Sequence, residues 1–229
     1  MIKNLVVSLS SLLPTLLLTA RNNLLHLALF CQDASKNTYF TNPRNPSQNR
    51  AFRGESRRNK TMIKILFICH GNICRSPMSE YLLKDLVEKQ NLTSHFEIAS
   101  AATSSEEIWN GTGNPIYPPA QAELRKHGIG KTAYTNFSKK RARQVTKEDY
   151  GYYDYLLCAD ANNIKNTIRI TGQDVDGKIK LLLDFATDPK RKGKSISDPW
   201  YSGRFDETYR DVVCGCEGLL AYLKETGQI

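Results

Sequence analysis

No apolar run in this chain is long enough to cross a membrane comfortably. Leu5 to Ala20 is interrupted by Pro14 and ended by Arg21-Asn22-Asn23, and the second run, Leu24 to Cys31, is shorter. Neither reaches the ~18–20 residues that a membrane helix needs. There is no Gly-x4-Gly-Lys-Ser/Thr, which excludes a Walker-type nucleotide site. Zinc-finger spacing and the aromatic motif of a single-strand-binding surface are also missing, so the formal charge of +9 does not by itself indicate a nucleic-acid partner. Cysteine is scarce and irregularly spaced: residues 31, 69, 74, 158, 214 and 216, five of them in the main region, without the even framework of a disulfide-stapled secreted domain. A reduced, cytoplasmic setting is expected.

The charge is unevenly spread. Residues 1–61 hold nine Lys/Arg against two Asp/Glu, whereas residues 62–229 hold 23 against 21. The basicity therefore belongs mainly to a leader, apolar at first and then, from Gln32 to Thr61, polar and expected to be disordered. Three readings of residues 1–61 stand side by side: upstream sequence outside the working protein, with Met62 the functional start; a signal or anchor; or a dispensable tail. The first is the expectation, because only Lys3 precedes the apolar run and no small-x-small cleavage site follows it. Lys139-Lys140-Arg141 with Arg143 is the one basic cluster of the main region and reads as a solvated face. Cys214-Gly215-Cys216, on the last helix, reads as half-buried packing.

From Met62 onward, strand and helix patterns alternate. Strands are expected at Ile63–Ile68, Phe96–Ala99, Tyr153–Cys158 and Lys178–Leu183. Helices are expected at Ser76–Lys89, at Pro118–His127 closed by Gly128, at Asn162–Thr171 ending at Gly172, and at Asp206–Glu225. Thr146 to Asp149 has the form of a capping box. Glu106–Tyr117 and Asp188–Arg204 read as irregular, and Phe137–Arg143 as a loop or short strand. Strands separated by helices imply an α/β fold: three layers, α/β/α, around a mainly parallel sheet of about four strands. Ligands in such folds bind outside the carboxyl ends of the strands.

Cys69-His70-Gly71-Asn72-Ile73-Cys74-Arg75-Ser76-Pro77 falls at such an end. With 6 Cys and 14 Arg in 229 residues, chance alone supplies about 0.4 pairs at the Cys-x5-Arg spacing, so the spacing is weak evidence on its own. Its setting strengthens it. The loop joins a strand to a helix N-terminus, where backbone N–H groups and the helix dipole favour an anion. Gly71 lets the backbone approach a ligand closely, and Ser76-Pro77 suits a helix start. Arg75 can hold two oxygens of a tetrahedral anion with its planar fork. A thiol attacks only when ionised, and the same positive surroundings favour the thiolate of Cys69. Asn72 is expected to hold the loop in shape and Ser76 to donate a hydrogen bond to the sulfur. Displacement at phosphorus then needs a proton for the leaving group. The candidate is Asp198, in Asp198-Pro199-Trp200-Tyr201-Ser202-Gly203. Alone, Asp-Pro would read as an ordinary turn, and the upstream cysteine loop is what gives it a chemical role.

Together, Cys-x-Gly-Asn-x-Cys-Arg-Ser-Pro after a strand and Asp-Pro-aromatic-aromatic-x-Gly some 130 residues later resemble the low-molecular-weight protein tyrosine phosphatases, bacterial type. The resemblance runs from Met62 to about Tyr222. Tyr153 to Asp160, Leu181 to Phe185 and the Trp109-Asn110-Gly111-x-Gly113-Asn114-Pro115 segment also match. It implies hydrolysis of phosphomonoesters, protein phosphotyrosine first among them, through a phosphocysteine on Cys69. Arg75 would bind phosphate, and Asp198 would act as acid and then base. The substrate would lie against His70, Gly71, Asn72, Ile73, Cys74 and Ser76, with Trp109, Trp200 and Tyr201 walling a slot for the phenyl ring. No cofactor or metal is implied. The expected partners are phosphorylated proteins or small aryl phosphates, with neither nucleic acid nor stable membrane association. Tyr117-Pro118-Pro119-Ala120 departs from the family's Asp-Pro-Arg pattern.

Alternatives on the same fold are a protein arginine phosphatase, for which Ile73 is the expected deciding residue, and an arsenate reductase. The latter needs two further redox cysteines; Cys158 stands near the first position, but Lys165 occupies the second. A non-enzymatic phosphoprotein-binding module would have lost the nucleophile or the acid, and both are present. Cys74 can be read as a resolving thiol for Cys69 or as simple packing.

Overall fold

The computed structural model describes residues 62–229. The three readings of residues 1–61 lie outside the described residues. The elements are β1 (Ile63–Cys69), α1 (Arg75–Lys89), β2 (Phe96–Ala102), β3 (Ile108–Trp109), β4 (Thr112–Gly113), α2 (Pro118–Lys126), α3 (Lys147–Tyr152), β5 (Tyr155–Cys158), α4 (Ala161–Thr171), β6 (Ile179–Leu181), α5 (Pro199–Ser202) and α6 (Phe205–Glu225). The main sheet has the order β2-β1-β5-β6, and every pairing in it is parallel.

β1 is central because its side chains are apolar on both faces. Ile63, Ile65, Phe67 and Cys69 point into the larger core with residues of α1, α2 and α6, while Leu66 and Ile68 point into a smaller core with Leu156, Cys158 and Ile164 of β5 and α4. A strand alternates its side chains between faces, so the unbroken apolar run Ile65–Cys69 must be covered on both. Full burial of one such side chain contributes about 1.5–3 kcal/mol. The three layers follow: α1, α2 and α6 on one face, α3 and α4 on the other. α6 lies close against the 3₁₀ turn Leu182–Phe185 because Gly218 is there; a Cβ at that position would stand 2.0 Å from the Phe185 carbonyl oxygen. Cys216 is buried on the inner side of α6 and Cys214 half-buried, in keeping with packing. No helix among the described residues is long and apolar enough to cross a membrane.

The element boundaries differ from the sequence pattern in ways that matter. β2 continues to Ala102, whose partner is Cys69; its Ala and Ser residues carry no β signal, and the pairing is imposed by β1. The run Lys178–Leu183 is a strand only over Ile179–Leu181, because the Asp184 carboxylate accepts the Leu181 N–H (3.0 Å) and starts the 3₁₀ turn. At the other end of β5, Asp154 holds Lys64 twice, donating its own N–H to the Lys64 carbonyl (2.9 Å) and accepting the Lys64 N–H with its side chain (2.8 Å), and the strand proper starts at Tyr155. The segments 106–117 and 188–204, read as irregular, contain the β3–β4 hairpin and the helical turn α5.

Candidate active site

Residues 70–74 turn from the end of β1 into α1. The turn is pinned from outside by its carbonyl groups: Cys69 and His70 accept from the N–H of Thr103 and Ser104 (2.9 and 3.0 Å), and Ile73 accepts from Tyr117 (2.9 Å). With those carbonyls tied outward, N–H groups turn inward, the geometry of an anion nest at a helix start. The Asn72 N–H donates to the Cys69 Sγ (3.3 Å). Asn72 has φ 58°, a left-handed conformation that asparagine tolerates better than most residues.

The side chain of Asn72 holds that conformation. Its amide donates to the hydroxyls of Ser76 (2.9 Å) and Ser100 (2.8 Å), and its oxygen accepts the Arg143 N–H (3.2 Å). Ser76 lies 3.0 Å from the Cys69 sulfur and accepts from Asn72; its own hydrogen has two acceptors in reach, the sulfur and, farther off, the Ala101 carbonyl (3.4 Å). Ser100 in turn donates to Glu80 (2.6 Å), whose carboxylate is flanked by Lys140 (2.9 Å) and Lys84 (2.6 Å). Burial alone would push the Glu80 carboxyl up; Lys140 and Lys84, with the Ser100 hydrogen bond, more than offset this and hold it below the ordinary carboxylate value. Lys140 is drawn below its ordinary value by burial, with Glu80 opposing. The reading of Lys139 to Arg143 as a solvated face therefore fails at Lys140, which is turned inward by its pairing with Glu80. Its neighbours Lys139 and Arg141 are exposed as expected.

Arg75 is buried, and its fork is shared between two carboxylates: Asp160 (2.6 Å) and Asp198 (2.7 Å). Burial would pull the guanidinium down, but the Cys69 sulfur and the Asp198 and Asp160 carboxylates hold it above its ordinary value. Asp160 caps α4, accepting the Asn163 N–H at 2.7 Å, which fixes it beside Arg75. Asp198 starts α5 by accepting the Trp200 N–H (3.1 Å), with Pro199 as the first helical residue and Gly203, at φ 67°, closing the turn. Cys74 is buried beside this centre, and its thiol is pushed up to about 12 by burial and by the neighbouring Cys69 and Asp198. Cys69 and Cys74 are both free thiols.

These groups border a cavity of about 200 Å³ lined by Cys69, His70, Gly71, Ile73, Cys74, Arg75, Asp198, Trp200 and Tyr201. Asn72 and Ser76 stand behind it. Trp109 is not on its wall. In the β3–β4 hairpin, Ile108 faces inward against Ile73 and Cys74, so its neighbour Trp109 faces out and is 70% exposed. Glu106 and Glu107, two residues with no marked motif, line the cavity instead. Asp160, Glu80 and Ser100 were also outside the expected site. Asp160 carried a signal, a helix-capping aspartate at the carboxyl end of a strand beside β1. Glu80 and Ser100 carried none. The assembled groups are a thiol sulfur at the start of a helix-opening loop, a guanidinium held by two carboxylates, and one of those carboxylates, Asp198, on the cavity wall, parts that could together serve displacement at phosphorus.

The family model for Low molecular weight phosphotyrosine protein phosphatase matches residues 64–229. The chain is 36% identical over 168 residues to the Bacillus subtilis low molecular weight protein-tyrosine-phosphatase YfkJ, covering 73% of this chain and all of that protein. It is 37% identical to the human low molecular weight phosphotyrosine protein phosphatase, over 68% of this chain and 92% of the relative. The YfkJ crystal structure superposes with a TM-score of 0.64 over 72% of this chain and 97% of the other. The crystal structure of DARP, a Drosophila arginine phosphatase, is 28% identical with a TM-score of 0.60, over 71% and 98%.

Proposed function

The chain belongs to the low molecular weight phosphotyrosine protein phosphatase family, and from that premise we propose that it hydrolyses phosphotyrosine in proteins, with Cys69, Arg75 and Asp198 as the reacting constellation. The observation that carries this is the convergence of the Cys69 sulfur, the Arg75 fork and the Asp198 carboxylate on one cavity at the carboxyl end of β1. The phosphate enters the nest and competes with Asp198 for the outer edge of Arg75, which frees Asp198 to face the leaving oxygen. Once released from Arg75, Asp198 takes up a proton from solvent; the Cys69 thiolate bonds to phosphorus as the phosphorus–phenol oxygen bond breaks, and Asp198 gives that proton to the departing phenolate. Asp198, now a carboxylate, takes a proton from water as that water attacks the phosphocysteine. Inorganic phosphate leaves and the thiolate returns. Ser76 stabilises the sulfur in its anionic form at both ends of the cycle. Trp200 and Tyr201 take the phenyl ring.

The family match over 64–229 supports a catalytic unit that begins near Met62, with residues 1–61 outside it. A reducing, cytoplasmic compartment suits a chain whose five described cysteines are free thiols, Cys69 among them. The likeness to an arginine phosphatase structure makes phosphoarginine the competing substrate, with Ile73, buried in the loop beside Cys74, as the deciding side chain. The experiment measures phosphate release from phosphotyrosyl and phosphoarginyl peptides with EDTA present. Phosphotyrosine is expected to be the better substrate, Cys69→Ser to abolish release, and the wild type to show a phosphocysteine by ³¹P NMR on rapid quench. A dependence on added divalent metal, or activity surviving in Cys69→Ser, would overturn the assignment. A preference for phosphoarginine would overturn its substrate half.

A further inference from the structure

The side chains that line the cavity contain one guanidinium, Arg75, and three carboxylates, Glu106, Glu107 and Asp198. Asp198 is bonded to Arg75, and Glu106 lies 2.9 Å from His70. Among the described residues, Glu107 makes no ion pair. It is nevertheless held firmly. Asn114 donates to its carboxylate from the side chain (2.7 Å) and to its carbonyl from the backbone (2.8 Å). Its stem lies so near Gly71 that a Cβ there would stand 3.0 Å from it. Its charge reaches the loop: beyond burial and the nearer groups, Glu107 adds to the upward push on the Cys74 thiol.

A fixed negative charge at the edge of a site built for a dianion works against binding. Holding Asn114 does not require it, because a glutamine oxygen accepts the same N–H bond. The charge is therefore surplus to the fold and adverse to phosphate alone, and it becomes favourable only when the substrate brings a cation. We propose that Glu107, with Glu106 beside it, makes the mouth of the site select phosphotyrosyl segments that carry Lys or Arg next to the phosphotyrosine. The cation would lie against the carboxylate wall while the phenyl ring lies against Trp200 and Tyr201 opposite, and an arginine or lysine stem can also lie over an exposed ring. This rests on the phosphotyrosine reading above and deepens it.

The test uses two phosphotyrosyl peptides identical except for Lys or Glu on both sides of the phosphotyrosine. The full chain at low salt is expected to favour the Lys peptide by about three- to tenfold in kcat/KM, mainly through KM. The ratio falls toward one in about 0.5 M NaCl. Glu107→Gln brings it below about twofold at low salt by removing one wall charge. Glu106→Lys, at an exposed side chain whose loss leaves no buried group unpaired, moves the ratio toward the Glu peptide and serves if Glu107→Gln does not fold. Equal rates on the two peptides in the wild type, or a Lys preference unchanged in both variants, would overturn the proposal alone. Failure to hydrolyse either peptide would overturn the phosphotyrosine reading as well.

Discussion

Beneath the sulfur of Cys69, the side chains of Asn72, Ser76, Ser100 and Glu80 each have a buried hydrogen-bond partner, and each is itself almost fully buried. A few ångströms outward, at the rim, Trp109, Trp200 and Tyr201 are 70, 59 and 88% exposed. The floor is over-determined: the left-handed φ of Asn72 is held by three bonds from its own side chain, and one of them leads through Ser100 to a carboxylate clamped between two lysines. The rim is carried by a hairpin of two-residue strands and a single helical turn. Reaction at phosphorus tolerates little displacement, so the floor is locked. Recognition of a protein segment requires adjustable surface, so the rim is open. The difference between the two regions is one of redundancy, and it can be tested by removing parts of each.

The sharpest break comes from the one residue that belongs to both. Asp198 is fixed to Arg75 at the floor and sits on the turn that carries Trp200 and Tyr201. Asp198→Ala is expected to lower kcat by about 10²–10⁴-fold on a phosphotyrosyl peptide. The loss should be much smaller on an aryl phosphate whose leaving group needs no proton, and the ratio of the two kcat values is the readout. A smaller effect is expected at the loop support. Asn72→Ala leaves the left-handed turn without its bonds and the sulfur without a fixed Ser76, and kcat should fall by about 10²-fold, since misplacement of the order of 1 Å has that cost. If instead kcat were unchanged, the floor would not be the rigid region described above.

Lys140→Met tests the ion cluster below the loop. It leaves Glu80 with Lys84 and Ser100 alone, and denaturant unfolding at pH 7 should show a loss of about 1–3 kcal/mol. The sign with pH follows from Glu80. Its folded value lies below the unfolded 4.5, so the stabilisation it provides is complete above that pH and is lost as pH falls through the lower, folded value. The gap between wild type and variant should therefore narrow in acid, and a gap that widened there would contradict the assignment of the charge to Glu80. The smallest effect belongs to the rim: Trp109→Ala should change kcat/KM on a small aryl phosphate by less than about twofold, because an exposed side chain outside the cavity has little contact to lose. A large loss would put Trp109 back on the slot wall.

Cys69, Arg75 and Asp198, the proposed nucleophile, phosphate ligand and acid, were legible in the chain because each sits in a local pattern with its own physical logic: a strand end, a helix start, a proline-led turn. The parallel sheet was legible because β1 and β5 are apolar at successive positions. Other features needed contacts between residues far apart in sequence. Ser100 looked like an ordinary polar residue after a short strand, and only pairing with β1 carries β2 far enough to place it under Asn72. Lys140 looked like surface because its neighbours are lysine and arginine, and its inward turn depends on Glu80, 60 positions earlier in the chain. Trp109 looked like a wall because aromatic residues usually line aromatic slots, but strand alternation in the hairpin gave the inward place to Ile108 and left the wall to Glu106 and Glu107.

By itself, then, the sequence determined which groups are available for the proposed chemistry and in what order they stand along the chain, since a thiol at a strand-to-helix loop, a guanidinium six residues on and an Asp-Pro turn are local features of the chain. Only the tertiary structure decided how rigidly those atoms are held and what borders them. Buried charges such as Glu80 and Lys140 are tolerated only when the fold brings their partners within hydrogen-bond reach, and which face of a two-residue strand meets the core is settled by what lies across from it.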